Sequence, residues 1–503
     1  MDSRTRITGL AAAVAALLCI LGLAASAHAA TTYNVTAGDA SSLESAVNSA
    51  NTDGDDSIVN VPAGTYTLNG DGMDIANDGT FTLTGAGARS TIIDSAATPG
   101  SGSTIFSVEN SANATIAGVT LENASVDGSG GAIFVAGPGD PANLTVTDST
   151  FTNDETAFSG EDGGAIFNAG NLDVERDTFS NNRSATSGSA IASETFLIGS
   201  ATRGRPLAGN VNIVNSTFTG NESDTSGDNE GFGTIFMESG FATLVNDTIA
   251  GNSDQNGEGN GGLAVEIGDA DVLNTIIAGN TAGGTSANCS TGKAVINSDG
   301  HNIESGTDCG FTATGDQQNT DPKLGPLQNN GGQMDTMALL AGSPAIDKAD
   351  SVGCPPTDEI GTTRPQGAGC DVGAYEVPPA PPAPPAPPAP PAPPAPPSKP
   401  APPSVGVAGV RRACVSTSFH LRFHIATTAS VKSVTVKLDG HRIRSTTKGT
   451  FTLTINSKKL KAGRHRLTVT AVDSAGQTTT TQRTFSVCKA AKPRRHVVPR
   501  FTG

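Results

Sequence analysis

Five times between residues 143 and 280 one short phrase returns. It reads NLTVTDSTFTN from Asn143, NLDVERDTFSNN from Asn171, NVNIVNSTFTGN from Asn210, ATLVNDTIAGN from Ala242 and ADVLNTIIAGN from Ala270. The large apolar residue near its end falls at Phe151, Phe179, Phe218, Ile249 and Ile277, so the steps are 28, 39, 31 and 28 residues. Leu121 fits one step earlier. A strand-like phrase at this interval marks a solenoid, in which each repeat buries its apolar side only against the next. Between these phrases lies a second element, beginning at Gly130, Gly163, Gly188, Gly233 and Gly261 and reading GGAIF at its clearest. Two short strand signals per repeat, divided by Gly, Asn, Asp and Ser turns, fit a parallel β-helix. A propeller blade needs four strands in about forty residues. The expected fold is all-β: a right-handed, single-stranded parallel β-helix with its Phe/Ile column pointing inward. Asn153, Asn182, Asn221, Asn252 and Asn280 are expected at a turn, as a stacked ladder of amides.

The remaining chain divides by composition. Residues 1–30 read as a signal peptide: Arg4 and Arg6 precede an apolar run from Leu10 to Leu23, and Ala27-His28-Ala29 offers the cleavage pattern. No later stretch is apolar enough to span a bilayer. Residues 31–376 hold the β-helix, with a capping helix over 41–50 that begins at the box Ser41-Ser42-Leu43-Glu44. Residues 321–376 change composition and are expected to close the far end. A Pro/Ala-rich run at 377–403 is an extended polyproline spacer of roughly 80 Å. Residues 404–489 alternate apolar and polar positions like a small β-sandwich, and 490–503 form a basic tail.

Cysteine usage agrees with export. Six cysteines follow the signal, in three sequence-local pairs: Cys289/Cys309, Cys354/Cys370 and Cys414/Cys488. A zinc site is disfavoured, because no Cys-x-x-Cys occurs. Charge is sharply divided. Residues 31–403 carry ten Lys and Arg against 45 Asp and Glu, a net −35, whereas 404–503 carry nineteen against two, a net +17. Asymmetry on this scale bears on partners rather than fold.

Several motifs resemble a bacterial family of exported right-handed β-helix proteins. The repeats, STFTGN with GGAIF, are similar to those of polymorphic outer-membrane proteins. The stretch from Asp321 to Leu327, Asn330-Gly331-Gly332, Gly342 to Asp347, Arg364-Pro365 and Cys370 to Glu376 resemble the segment called a choice-of-anchor Q domain. At Asp358-Glu359-Ile360-Gly361 the family's arginine before the glycine is missing. The segment LTVTAVDSAGQ resembles bacterial Ig-like modules. These resemblances imply a secreted or cell-surface protein and no defined chemistry.

The pectate-lyase-like solenoid also hosts polysaccharide lyases and hydrolases, so that activity is the alternative function. Here the residues speak against it. Lys and Arg between 31 and 320 are limited to Arg89, Arg176, Arg183, Arg203, Arg205 and Lys293, of which Arg176 is the best-placed base, within an expected strand. With no Trp and three Tyr, flat platforms for sugar rings are scarce. No catalytic residue or bound cofactor is assigned.

Two charged constellations remain. Turns before the GGAIF-type strands carry Asp127, Glu161, Asp162, Asp228, Glu230 and Glu258, which stacking would align along one edge at about 4.8 Å per coil. Ca²⁺ is the candidate ion for this edge, against a solvated polar turn; a melting midpoint indifferent to Ca²⁺ and chelator would count against it. The basic module offers Arg442, Arg444, Lys458, Lys459, Lys461, Arg464, Arg466 and the Arg494-Arg495 tail as contacts for an anionic envelope polymer or extracellular glycan. Nucleic acid is set aside because the chain is expected to be exported. The leading reading is an adhesive or structural surface protein, tethered electrostatically.

Overall fold

The computed structural model describes residues 29–76, 79–136, 141–194, 209–224, 232–255, 257, 259–379 and 401–488. Residues 1–28 of the expected signal peptide, most of the proline run, Asp228, Glu230, Glu258 and the Arg494-Arg495 tail lie outside these. Two compact units divide between Pro381 and Pro382.

The first unit is a parallel β-solenoid whose strands stack into sheets of ten, nine, eight and seven members. A representative coil runs Asn143–Thr147, Thr150–Thr152, Glu155–Thr156 and Ile166–Asn168 before the next begins at Asn171. The repeat phrase is therefore two strands bent at Asp148, and each coil from Asn113 through that of Ile249 has four strands rather than two. Asp148, Arg176, Asn215, Asn246, Asn274 and His301 occupy that bend with φ between 53° and 60°. This left-handed conformation is one that Asn and Asp accept more readily than other side chains. Arg176 accordingly lies in a bend, not in the strand where it was expected.

Register explains the core. Leu144 pairs with Leu172, which pairs with Val211, and Phe151 pairs with Phe179, which pairs with Phe218. Each aligned set faces inward because a strand turns alternate residues to opposite faces. The phenyl rings of Phe151, Phe179 and Phe218 stack at 4.5 and 4.7 Å, within 5° of parallel. At the N-terminal end a helix, Ala40–Thr52, buries Leu43, Ala46, Val47 and Ala50 against the first coils. Its cap is Asp39, whose carboxylate accepts from the Ser42 N–H, rather than the Ser41 box. Ser42 Oγ instead accepts from Thr36 N.

Residues 321–376 do not form a cap over the last coil. Cys309 and Phe311, from the turn after that coil, complete the core there. Residues 321–376 instead run back along the outer face of the nine-stranded sheet. Asn274 exchanges hydrogen bonds with the Asp350 backbone, and Asn246 Nδ2 donates to the Asp371 carbonyl at 3.0 Å. Asn215 Nδ2 donates to the Thr357 carbonyl at 2.8 Å, and Arg89 reaches the Met334 carbonyl at 2.7 Å. The outward Asn residues at the bends are thus the docking points for this returning segment. Cys289–Cys309 and Cys354–Cys370 are both disulfide-bonded.

The second unit packs a three-stranded antiparallel sheet (Ser404–Ala408, Phe419–Ala426, Thr450–Ile455) with a four-stranded one (His441–Thr446, Val431–Leu438, Gly463–Asp473, Thr478–Val487). Strict alternation along Phe419–Ala426 places Phe419, Leu421, Phe423 and Ile425 in one core with Val434, Val436, Leu467, Val469 and Phe485. Cys414 precedes the strand at Phe419 and Cys488 follows the last strand; their disulfide ties these two segments.

Candidate functional site

The polar columns inside the solenoid come first, because they decide which side chains are free to meet a ligand. Three residues after each Phe or Ile of the column stand Asp154, Asn182, Asn221, Asn252 and Asn280, all buried. Each Asn Oδ1 accepts both the backbone N–H and, where there is one, the side-chain amide of the preceding coil: Asn221 takes Asn182 N and Nδ2, each at 3.0 Å. Each Nδ2 also donates to the carbonyl of the Phe or Ile in the preceding coil, as Asn252 does to Phe218 at 3.0 Å. The ladder therefore runs through Asp154, and Asn153 drops out of it. Asn153 and Asn181 sit one position earlier in left-handed conformation, where Gly220, Gly251 and Gly279 stand in later coils.

A second ladder at the other bend links Ser149, Asp177, Ser216, Asp247 and Thr275 through backbone N–H groups. Burial pushes Asp154, Asp177 and Asp247 well above the usual carboxylate range. These groups are spent on the scaffold. Arg176 is likewise committed, gripping Asp148 with Nε at 2.8 Å and also pairing with Glu175. A base needs a free lone pair, and a doubly paired guanidinium offers none.

The acidic edge separates into two environments among the described residues. Asp127 and Glu161 face each other, and burial with the Asp127 carboxylate raises the Glu161 pKa. Asp162 turns away: its Oδ1 accepts Ser187 N at 2.8 Å, and it faces Glu194 and Glu238. Burial, then the charge of Asp162, pushes the Glu194 pKa up to about 9. Glu194 and Glu238 were missed in the sequence. Both follow a sheet strand, in stacked register through Ser193 and Met237. Among the described residues no three acidic, His or Cys groups are placed to hold one metal ion.

Outside the scaffold, the returning segment leaves a cavity of about 430 Å³ against the nine-stranded sheet, lined in part by Arg89, Glu122, Thr150, Thr152, Gln333 and Asp335. Farther along the interface the segment seals tightly. Glu359 is fully buried, accepting from Thr178 Oγ1 at 2.9 Å and from the Thr217 hydroxyl, and burial raises its pKa well above the usual range. Arg364 is buried too, donating to the Asp371 and Gly373 carbonyls at 2.6 and 2.7 Å and facing Glu376 at 3.4 Å.

On the second unit, cross-strand pairing gathers basic groups. Lys437 stands opposite both Arg442 and Thr468 in the four-stranded sheet. Arg464 and Arg466 alternate with buried His465 and Leu467, so they share the outer face with Thr468. One corner of that face thus collects Lys437, Arg442, Arg464 and Arg466, all exposed. Lys437 was missed because only the hairpin register reveals it. Lys458 and Lys459 lie on the 3-10 turn before this strand, and Lys461 is tied to it by its carbonyl, 2.8 Å from His465 Nε2. Arg444 lies on the edge strand opposite Val436.

Neither acid of this unit neutralises the corner. Asp439 accepts Arg466 N at 2.8 Å and lies 2.5 Å from His465 Nδ1, while Asp473 accepts Gln477 N at 2.8 Å in a turn. Burial lowers the His465 pKa, but the Asp439 contact outweighs it and the net shift is upward. Burial opposes ionisation of Asp439, yet its hydrogen bond to His465 prevails and holds it below the usual range.

A family model described as bacterial Ig-like domain matches residues 416–488. No curated protein and no solved structure matches the chain.

Proposed function

We propose that this is an exported surface protein in which the Ig-like unit docks on an anionic envelope polymer and the β-solenoid serves as an adhesive or structural element. A β-helix scaffold with a bacterial Ig-like domain and disulfides fits a surface or extracellular protein. The observation that carries the docking reading is the corner of Lys437, Arg442, Arg464 and Arg466, in a unit whose two acids are engaged elsewhere. The mechanism is electrostatic: several ammonium and guanidinium groups on a rigid sheet meet phosphates or carboxylates repeated along a polymer. At 1 M salt the screening length falls to about 3 Å, so the contact should open.

The test is fractionation of cells producing the full chain. Salt at 1 M should release the protein from envelopes. A variant combining Lys437→Gln, Arg442→Gln, Arg464→Gln and Arg466→Gln should appear in the medium without salt. Retention of both proteins through the salt wash would overturn the reading.

A further inference from the structure

The nine-stranded sheet turns two columns of side chains outward. Register aligns Ile92, Thr120, Thr150, Thr178, Thr217 and Thr248 in the first. Asp94, Glu122, Thr152, Ser180 and Thr219 form the second. The returning segment consumes the C-terminal part of this face. Thr178 Oγ1 lies within hydrogen-bond distance of Asp335 O and Glu359, Thr217 donates to Glu359, and Thr248 Oγ1 accepts Ala374 N. Between these contacts and its bonds to Arg89 in an earlier coil, the 430 Å³ cavity opens between the segment and the sheet.

Within that cavity polar groups from both walls are unspent. Thr150 Oγ1, the Glu122 carboxyl and the Gln333 amide make no hydrogen bond to any described residue. Thr152 Oγ1 accepts from Ser180 Oγ at 3.0 Å and keeps its own hydrogen to donate. The Gln333 side chain lies against the turn at Gly87: a Cβ there, at φ +122°, would stand 2.6 Å from Gln333 Oε1. The one cation lining the cavity is already paired, since Arg89 binds the Met334 carbonyl and, at 2.5 Å, Asp335. An anionic ligand would therefore meet carboxylates and no free positive charge, in a region of net −35.

We propose that this cavity binds an uncharged, hydroxyl-rich glycan. Hydroxyls of Thr150 and Thr152 and the amide of Gln333 both donate and accept, as sugar hydroxyls require. Ala88, Ile92 and Leu327 supply the apolar contact in place of an aromatic platform. The site lies on the first unit and does not depend on envelope docking by the second.

The probes are cellohexaose and laminarihexaose, titrated calorimetrically into the purified full chain beside polygalacturonate. Saturable one-to-one binding of at least one neutral hexasaccharide, with none of polygalacturonate, is expected. The double variant Thr150→Val and Gln333→Ala should weaken that binding at least tenfold. Both positions are partly or fully exposed and orphan no described partner, so the variant keeps its fold. Absence of saturable binding by both neutral probes, tighter binding of polygalacturonate, or wild-type affinity in the variant would each overturn the proposal. Salt release from envelopes is unaffected by any of these outcomes, so the two readings fail separately.

Discussion

Replacing Asn221 by Ala removes the middle of the buried amide ladder. The Asn182 backbone N–H loses its acceptor at 3.0 Å, and the Asn182 amide loses one of its two partners while keeping the Phe151 carbonyl. The Phe179 carbonyl loses the Asn221 amide. Two buried donors are thus orphaned where water has no room. Each such group costs about 1–3 kcal/mol, so the first unit should lose about 2–6 kcal/mol. Asn181→Gly is the matched control, because Asn181 has φ 57° and is replaced by Gly in later coils; it should move stability by no more than about 0.5 kcal/mol. Asn221→Asp keeps both acceptor bonds but puts a carboxyl into the buried column where burial pushes the Asp154 pKa well above the usual range. Its cost should therefore grow with pH. Urea unfolding followed by circular dichroism reads all three. If Asn221→Ala costs no more than Asn181→Gly, the ladder does not stabilise the solenoid as argued.

Other consequences are equally accessible. Glu304 is pushed up to about 7 by burial and by its contact with Asp308. A raised carboxyl stabilises the fold below its unfolded value of about 4.3, and that contribution is lost as pH rises through about 7. Glu304→Gln should therefore flatten the fall in melting temperature between acid and neutral pH. For His465 and Asp439 the stabilising window lies between their two shifted values, lost above through the raised histidine and below through the lowered aspartate. Asp439→Asn should thus lower the melting point of the Ig-like unit more in mildly acidic solution than in alkaline. Removing Cys414–Cys488 frees a loop spanning 74 residues and should cost that unit about 4 kcal/mol in chain entropy, read by unfolding of the double Ala variant.

The solenoid was legible because stacking repeats one physical requirement at every coil. Phe151, Phe179 and Phe218 had to be large and apolar, and a slip of one residue would turn each outward. The ladder was harder to place. In TNDE and SNNR two neighbouring positions both hold polar residues, one needing left-handed backbone and the other a buried amide, and both suit Asn. Only coil-to-coil bonding separates Asn153 from Asp154. The path of residues 321–376 was hidden for another reason: its contacts join residues as distant as Arg89 and Asp335. One signal was present, the Asn before the second strand at Asn215, Asn246 and Asn274, where the Asp of the earlier repeat gives way to an amide that can both donate and accept. On the second unit alternation exposed Arg464 and Arg466, whereas Lys437 joined them only through hairpin register.

A bare solenoid is a chain of neighbours: each coil knows only the next, and its ends can fray one layer at a time. The returning segment changes that arithmetic. By holding the bend of Asn274 and the coil of Arg89 through one continuous stretch of backbone, it couples layers that never touch. Loss of a terminal coil then costs the contacts of the segment as well, so fraying gives way to unfolding as a single event. Mechanically, the segment is a stay laid along a stack, and pulling on either end of the first unit should meet resistance from its whole length.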